Sequence, residues 1–307
     1  MKPKLVLTGF VALTFLAILS AVHLGRSNLS RRKASSGGQT FQVRGQIRSI
    51  NAAEKTIRIA HDAIPNYMPA MTMPLPVKDP TLLNHLAAGQ EVQFELRVTE
   101  NDSWISQIQS LPSEAQATQA ETGAGGSLDD LEAERLRAGD LVPDFTLTNQ
   151  DGHAIHLSEF RGKAVVLTFI YTRCPLPNFC PLMSRNFAEL EQRLGKEFPH
   201  RFHLLSISMD PEFDQPGVLK DYAEQYAADP KDWTFATGDA AAINFVAKLL
   251  GLYFEKENGL ISHDLRTALI GPDGRLVQLW KSNVWTPYEV QRGVRETLTS
   301  QPDVASR

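Results

Sequence analysis

The only two cysteines in this 307-residue chain, Cys174 and Cys180, lie six positions apart, directly after a strongly apolar run. Thiolates are soft ligands, and a pair of them can hold a soft metal ion such as Cu(I) or cycle between dithiol and disulfide. Pro175, Pro177 and Pro181 keep the segment between the cysteines out of a helix. We therefore predict that both sulfur atoms lie near the N-terminus of the next helix, where the helix dipole favours a thiolate.

A trigonal Cu(I) site needs a third ligand, and the best candidate is His263, just before an apolar strand predicted from Leu265. If that strand lies beside the buried strand predicted over residues 164–171, the imidazole would reach both sulfur atoms. The residue types alone leave other readings open. Cys174 and Cys180 could form a structural disulfide, and His263 could be an ordinary turn histidine.

Three methionines fall within six residues, at Met68, Met71 and Met73. Met71 and Met73 alternate on a predicted strand, so their thioethers share one face, and His61 ends the preceding strand and could cross to meet them. Thioethers with one imidazole select Cu(I) or Ag(I) over hard ions. The alternative is that the methionines fill the core of a small barrel, which is their commonest use.

The amino terminus and the charge limit where the chain acts and what it contacts. Residues 5–22 carry no charge and follow Lys2 and Lys4. Residues 1–25 are therefore predicted to be a signal anchor or a signal peptide, with an anchor favoured and the body in the periplasm.

The formal net charge of −4 provides no basic surface, so nucleic acid is not expected as a partner. No phosphate loop, nucleophile elbow or catalytic carboxylate pair is present, which argues against a hydrolase or a nucleotide-dependent enzyme.

Three regions follow the amino terminus. Residues 41–111 show short alternating strands with turn signals, typical of a small all-β barrel or sandwich. Residues 112–139 are rich in Ala, Glu, Gln, Thr and Gly and are predicted to be a linker, with a helical stretch at 128–136. Residues 140–300 alternate strands with helical patterns, which predicts an α/β domain with a mixed central sheet.

Several polar residues of the last region receive plainer predictions. Asp210 and Asp214 are expected either to cap the following helix or to order its loop. The remaining histidines of this region stand in polar or loop settings and are predicted to lie at the surface: His153, His156, His200 and His203.

Residues 142–299 resemble the Sco/SenC family of thioredoxin-fold, membrane-anchored copper proteins. The resemblance rests on Pro143-Asp144-Phe145, Phe169-Ile170-Tyr171-Thr172-Arg173-Cys174, Cys180-Pro181, Ser208-Met209-Asp210-Pro211-Glu212-Phe213-Asp214, Ser262-His263-Asp264 and Gly271-Pro272-Asp273-Gly274-Arg275. It implies a thioredoxin-like fold in which Cys174, Cys180 and His263 bind copper, as Cu(I) and in a second state as Cu(II). It also implies delivery of copper to the binuclear centre of cytochrome c oxidase and reduction of thiols there.

The spacing of the cysteines departs from the family pattern. The family usually has three residues between its cysteines, whereas five separate Cys174 from Cys180. A longer loop can still bring two sulfur atoms to one ion. It could equally widen the site, weaken copper binding or shift the disulfide potential.

Residues 41–111 resemble the CusF-like periplasmic domain that binds copper and silver, a small OB-type barrel. The matching segments are His61-Asp62, Pro69-Ala70-Met71-Thr72-Met73 and Gly89-Gln90-Glu91-Val92. The resemblance implies that His61, Met71 and Met73 are metal ligands. Met68 occupies the position of a tryptophan that caps the copper in that family, so it is either a further ligand or fills the space.

Two soft-metal signatures in one exported chain predict a copper carrier in which the Met/His site captures Cu(I) and passes it to the Cys/Cys/His site. The predicted partner is the cytochrome c oxidase subunit that carries the binuclear copper centre. Two alternatives stay open. One is a thiol-disulfide oxidoreductase with Cys174 and Cys180 as its redox pair, and the other is a copper buffer that supplies tolerance.

Overall fold

The fold is described from a computed structural model, which covers residues 38–112 and 135–300. These residues form a five-stranded sheet, a seven-stranded sheet and a two-stranded ribbon. In this part of the chain, no helix is both long enough and apolar enough to cross a membrane. The predicted anchor within residues 1–25 and nearly all of the helical stretch predicted at 128–136 lie outside the described residues.

The five-stranded sheet is antiparallel, with strand order β3-β2-β1-β4-β5. Buried and more exposed residues alternate along β3 because successive side chains point to opposite faces of a strand. Val77, the residue after β3, pairs with Ile105 of β5, so the two edge strands approach each other at this point. An all-β region at this position confirms the prediction. Its strands are Gln39–Asn51 (β1), Thr56–His61 (β2), Met71–Pro76 (β3), Glu91–Val98 (β4) and Ser103–Ser110 (β5).

The seven-stranded sheet is mixed, which confirms the predicted α/β class. Its order is β14-β13-β8-β9-β10-β6-β7, with β8 parallel to β9 and antiparallel to β13. Every residue of β8 is buried, as its continuous apolar sequence predicts for a central strand. The strands are Thr146–Asn149 (β6), Ala154–His156 (β7), Ala164–Ile170 (β8), Phe202–Ser208 (β9), Trp233–Thr237 (β10), Arg266–Ile270 (β13) and Leu276–Lys281 (β14).

Four α-helices accompany this sheet in the described part of the chain. The first begins at Cys180, and Pro181 lies in its first turn, where its missing N–H would have no partner in any case. The helices are Cys180–Glu197 (α1), Pro216–Gln225 (α2), Ala240–Leu249 (α3) and Pro287–Ser300 (α4).

A short antiparallel ribbon joins Phe254–Glu257 (β11) to Leu260–His263 (β12). The two residues between them, Asn258 and Gly259, have positive φ angles of 50° and 83°. Asn-Gly is the strongest short hairpin signal because both residues tolerate this conformation. The sequence patterns did not predict this ribbon. His263 lies at the end of its second strand.

The surface position predicted for His203 is wrong. Its side chain is only 3% exposed, stacks on Phe160 at a centroid distance of 4.1 Å, and contacts Thr234 through Nε2 at 2.9 Å. It lies on β9, between β8 and β10, where every position is buried. Burial, assisted by the charge of Lys163, lowers the pKa of His203 to about 3. The exposed positions of His153, His156 and His200 agree with the prediction.

We predict that His203 makes the protein sensitive to acid. Its pKa is about 3 when folded and 6.5 when unfolded, so protons bind preferentially to the unfolded chain as the pH falls from 6.5 towards 3. The resulting loss in free energy of unfolding is about 2 kcal/mol at pH 5. Urea unfolding at pH 7 and pH 5 should show a smaller pH effect in His203→Gln than in the wild type. The exposed-site variant His200→Gln should behave like the wild type, and equal pH effects in all three proteins would contradict the prediction.

Candidate metal centre

Two cysteines and one histidine converge beyond the end of β8. The ligand atoms of Cys174, Cys180 and His263 all lie within 4.8 Å of one another. Cys174 follows β8, Cys180 is the first residue of α1, and His263 ends β12. Both cysteines are free thiols. The pairing of β13 with β8, on which the predicted approach of His263 depended, is present in the structure.

The His263 ring is fixed so that one nitrogen faces the sulfur atoms. Its Nδ1 lies 2.7 Å from the Asp264 carbonyl oxygen, which can only accept, so Nδ1 carries the proton. With Nδ1 as the donor, Nε2 is the nitrogen left to accept or to bind a metal ion, and it lies 3.5 Å from the Cys180 Sγ. Tyr171 and Phe179 meet the ring edge-on at centroid distances of 5.6 and 5.8 Å. The imidazole therefore presents a lone pair to the thiols from an aromatic enclosure.

The two thiols differ in protonation. Burial disfavours a thiolate at both, but the hydrogen bond with the Cys180 thiol holds the pKa of Cys174 well below its ordinary value. Burial and the neighbouring Cys174 sulfur raise the pKa of Cys180 well above its ordinary value. The Tyr171 backbone N–H donates to the Cys180 Sγ at 3.4 Å. Of the two thiols, Cys174 is therefore the one that loses its proton more readily.

A buried carboxylate holds the start of the cysteine loop. Asp214 is fully buried and accepts hydrogen bonds from the Thr172 N–H at 3.0 Å, from the Thr172 hydroxyl and from the Ser208 hydroxyl. Arg173 forms an ion pair with the buried Asp210. Helix α2 has Gln215 as its N-cap, with no side-chain cap bond. Of the two roles predicted for these aspartates, the structure shows the ordering of a loop, and the loop is the one that carries Cys174.

We predict that Asp214→Ala loosens this loop. Because the Thr172 and Ser208 donors lose their acceptor inside the protein, the free energy of unfolding should fall by roughly 1–3 kcal/mol. Amide hydrogen exchange at Thr172 should accelerate at the same time. The matched control is Asp221→Ala, an exposed carboxylate on α2. If Asp214→Ala had the same free energy of unfolding and the same Thr172 exchange rate as this control, Asp214 would not hold the loop that carries Cys174.

The Met/His residues of the first sheet form a second buried group. His61 on β2 and Met71 on β3 are direct cross-strand partners, and Met73 lies two residues further along the same face. Met68 precedes β3 and pairs with Ile64 through the backbone. All four predicted ligands, His61, Met68, Met71 and Met73, are buried.

One nitrogen of His61 has no partner. Its Nδ1 lies 2.7 Å from the Asp62 carbonyl oxygen and so carries the proton. Its Nε2 is buried and has no hydrogen-bond partner among the described residues. Burial lowers the pKa of His61, which leaves the ring neutral at neutral pH. An unpaired buried acceptor is costly and unusual, so this lone pair is what a soft metal ion would use.

The two histidines share a local arrangement that the sequence analysis did not predict. Each is followed by aspartate, in His61-Asp62 and in His263-Asp264, and each uses the carbonyl oxygen of that next residue to fix its Nδ1 proton. In both rings Nε2 is thus the nitrogen left available to bind a metal ion. A ligand histidine is commonly oriented in this way, by a hydrogen bond from its other nitrogen.

The mixed sheet and the Cys/Cys/His group define a thioredoxin-like protein with a site for a soft metal. Residues 133–299 match the SCO1/SenC family model, and residues 40–110 match the model of the copper binding periplasmic protein CusF. Because the first match covers more than half of the chain, this protein belongs to the SCO1/SenC family.

Individual relatives match the second part of the chain. The SCO1 protein homolog of Bacillus subtilis is 31% identical over 152 residues, which cover 48% of this chain and 77% of that protein. The SCO2-like protein of Rickettsia felis is 28% identical over 144 residues, 44% of this chain and 66% of that protein. The copper-bound structure of Bradyrhizobium japonicum ScoI is 28% identical, with a TM-score of 0.44, and covers 52% of this chain and 99% of that one.

Proposed function

We propose that this protein binds Cu(I) through Cys174, Cys180 and His263 and delivers it for assembly of the copper centre of cytochrome c oxidase. The convergence of two sulfur atoms and one imidazole nitrogen within 4.8 Å carries the proposal. Soft thiolate ligands select Cu(I), and a neutral imidazole suits copper. Membership of the SCO1/SenC family supports the delivery role.

The residues around the ligands keep the site ready for the metal. The Asp264 carbonyl oxygen keeps the His263 lone pair free, and Asp214 holds the segment that leads into Cys174. The thiolate at Cys174 is available without a large cost of deprotonation. Copper binding needs both cysteines reduced, so a disulfide between them would switch the site off. Release to a recipient would proceed by exchange of these ligands for those of the recipient.

The Met/His group is the proposed site of capture. Buried methionines are also what an ordinary core contains, so burial alone does not favour ligation. The unpartnered Nε2 of His61, beside Met71, is the observation that does. Thioethers bind without losing a proton, so this site can take up Cu(I) whatever the state of the thiols. Met73 completes the proposed ligand set, and Met68 is either a fourth ligand or part of its wall.

The proposed organisation follows from the sequence and the two family matches. A CusF-like OB-type barrel spans residues 41–111, a linker spans 112–139, and the Sco domain spans 140–300. The meeting of β3 and β5 through Val77 and Ile105 supports the barrel. The uncharged stretch at residues 5–22 supports a membrane anchor with the body in the periplasm, where the oxidase subunit with the binuclear copper centre would be the recipient.

A thiol-disulfide oxidoreductase is the second candidate, and the asymmetry of the thiols favours it. Cys174 is half-buried with a low thiol pKa, whereas Cys180 is fully buried with a raised one. In that role the Cys174 thiolate would attack a disulfide of the partner and form a mixed disulfide. The Cys180 thiol, after losing its proton, would then displace the partner as a dithiol and leave Cys174 and Cys180 oxidised.

Titration with Cu(I) separates these functions. We expect the reduced, anaerobic protein to take up two equivalents in competition with a chelator. Cys174→Ser/Cys180→Ser should lose one equivalent, and Met71→Leu/Met73→Leu should lose the other. Met209→Leu, a buried methionine outside both groups, is the matched control and should bind both.

Two results would contradict the proposal. If the double cysteine variant still bound two equivalents, Cys174 and Cys180 would not be ligands. If the wild type bound no tight copper at the cysteines but cycled its disulfide readily, the oxidoreductase would be the better assignment.

A further inference from the structure

The five-residue loop between the cysteines contacts the five-stranded sheet. The Tyr67 hydroxyl, from the segment before β3, donates to the Pro175 carbonyl oxygen at 3.0 Å. The buried Ser103 hydroxyl donates to the Asn178 Oδ1 at 2.5 Å, and the Asn178 Nδ2 donates back to the Ser103 carbonyl oxygen at 2.9 Å. Pro175 and Asn178 of this loop therefore contact a separate sheet of the same chain.

The ribbon that carries His263 contacts the strand that carries the methionines. The Thr72 N–H of β3 donates to the Glu257 carboxylate at 2.6 Å. The Asn258 Nδ2, at the tip of the ribbon, donates to the Ala70 carbonyl oxygen at 2.5 Å. These bonds use the free edge of β3, whose other edge pairs with β2. The metal-binding histidine and the methionine strand are thus held together by the tip of one hairpin.

Arg58 makes a third connection, beside His263. Its guanidinium donates to the Ser262 hydroxyl at 3.1 Å, lies 3.7 Å from the Asp264 carboxylate, and stacks 4.2 Å from the centroid of the Tyr253 ring. Arg58 lies on β2, three residues before His61. Arg58 therefore links β2, which carries His61, to Ser262 and Asp264, the two neighbours of His263 in the sequence.

We propose that the five-stranded sheet is a removable cover for the Cys174, Cys180 and His263 site, and that the thiols become accessible to a partner protein when the sheet undocks. The docking platform consists of the loop 175–179 and the hairpin 254–263. Contacts of this polar kind within a chain resemble those of transient interfaces, for which relative motion is the default expectation. The sequence predicts a linker over residues 112–139, between the two sheets.

The cover lies close to the thiol that a partner would reach first. Tyr67 contacts the residue directly after Cys174 through the hydrogen bond to the Pro175 carbonyl oxygen. The inference concerns access to the thiols, so it holds for a copper carrier and for an oxidoreductase alike.

The test compares how fast a bulky and a small reagent alkylate Cys174 in the full-length, reduced, metal-free protein. The undocking variant is Arg58→Ala/Tyr67→Phe/Ser103→Ala, which removes the side-chain contacts of Tyr67 and Ser103 with the loop 175–179 and those of Arg58 with the hairpin. The ratio of the rate with a polyethylene-glycol maleimide to the rate with iodoacetamide should rise by about tenfold or more, because several net hydrogen bonds are lost. Using the ratio cancels any change in thiolate reactivity. The radius of gyration from X-ray scattering should increase as well.

A matched control and a second variant complete the test. Arg48→Ala/Ser110→Ala/Tyr288→Phe changes the same residue types at exposed positions and should leave the ratio at the wild-type value. Should the first variant fail to fold, Glu257→Ala/Asn258→Gly removes only contacts from the hairpin tip and should raise the ratio several-fold. If a folded undocking variant showed the wild-type ratio and radius of gyration, the proposed cover would be refuted.

Discussion

Strand β13 pairs antiparallel with β8, from Thr267 opposite Thr168 to Ile270 opposite Val165. This pairing fixes the start of β13 beside the end of β8, and the candidate metal centre forms at that place. His263 comes three residues before β13, and Cys174 comes four residues after β8. A change in this register would shift His263 along the sheet and away from the sulfur atoms, since each residue of a strand spans about 3.3 Å.

The site also depends on buried polar groups that are satisfied in a particular way. The buried Asp214 carboxylate accepts hydrogen bonds from Thr172 and Ser208, and burial raises its pKa. At His263, one carbonyl oxygen decides which nitrogen carries the proton. Such networks specify one geometry because any other arrangement leaves a buried group unsatisfied. The proposed ligands are thereby held in place in advance, which would reduce the cost of ordering them when a metal ion binds.

Local patterns in the sequence predicted most of the elements but few of the contacts between them. Period-two alternation marked β1 to β5, and the apolar run at residues 164–171 marked the central strand, because burial on one or both faces leaves a local trace. The charged residues of β11 hid the ribbon, despite Asn258-Gly259. His203 was misplaced because a single polar residue does not reveal that its strand is central. The contacts of Tyr67 and Ser103 with the cysteine loop join distant parts of the chain, and nothing local encodes them.

X-ray absorption at the copper edge is the sharpest test of the proposal that Cys174, Cys180 and His263 together hold copper. The sample is Met71→Leu/Met73→Leu protein loaded with one equivalent of Cu(I) under anaerobic conditions. We expect a first coordination shell of two sulfur atoms and one imidazole nitrogen, with the nitrogen contribution lost in a protein that also carries His263→Ala. A shell without sulfur, or one unchanged by the loss of His263, would contradict it.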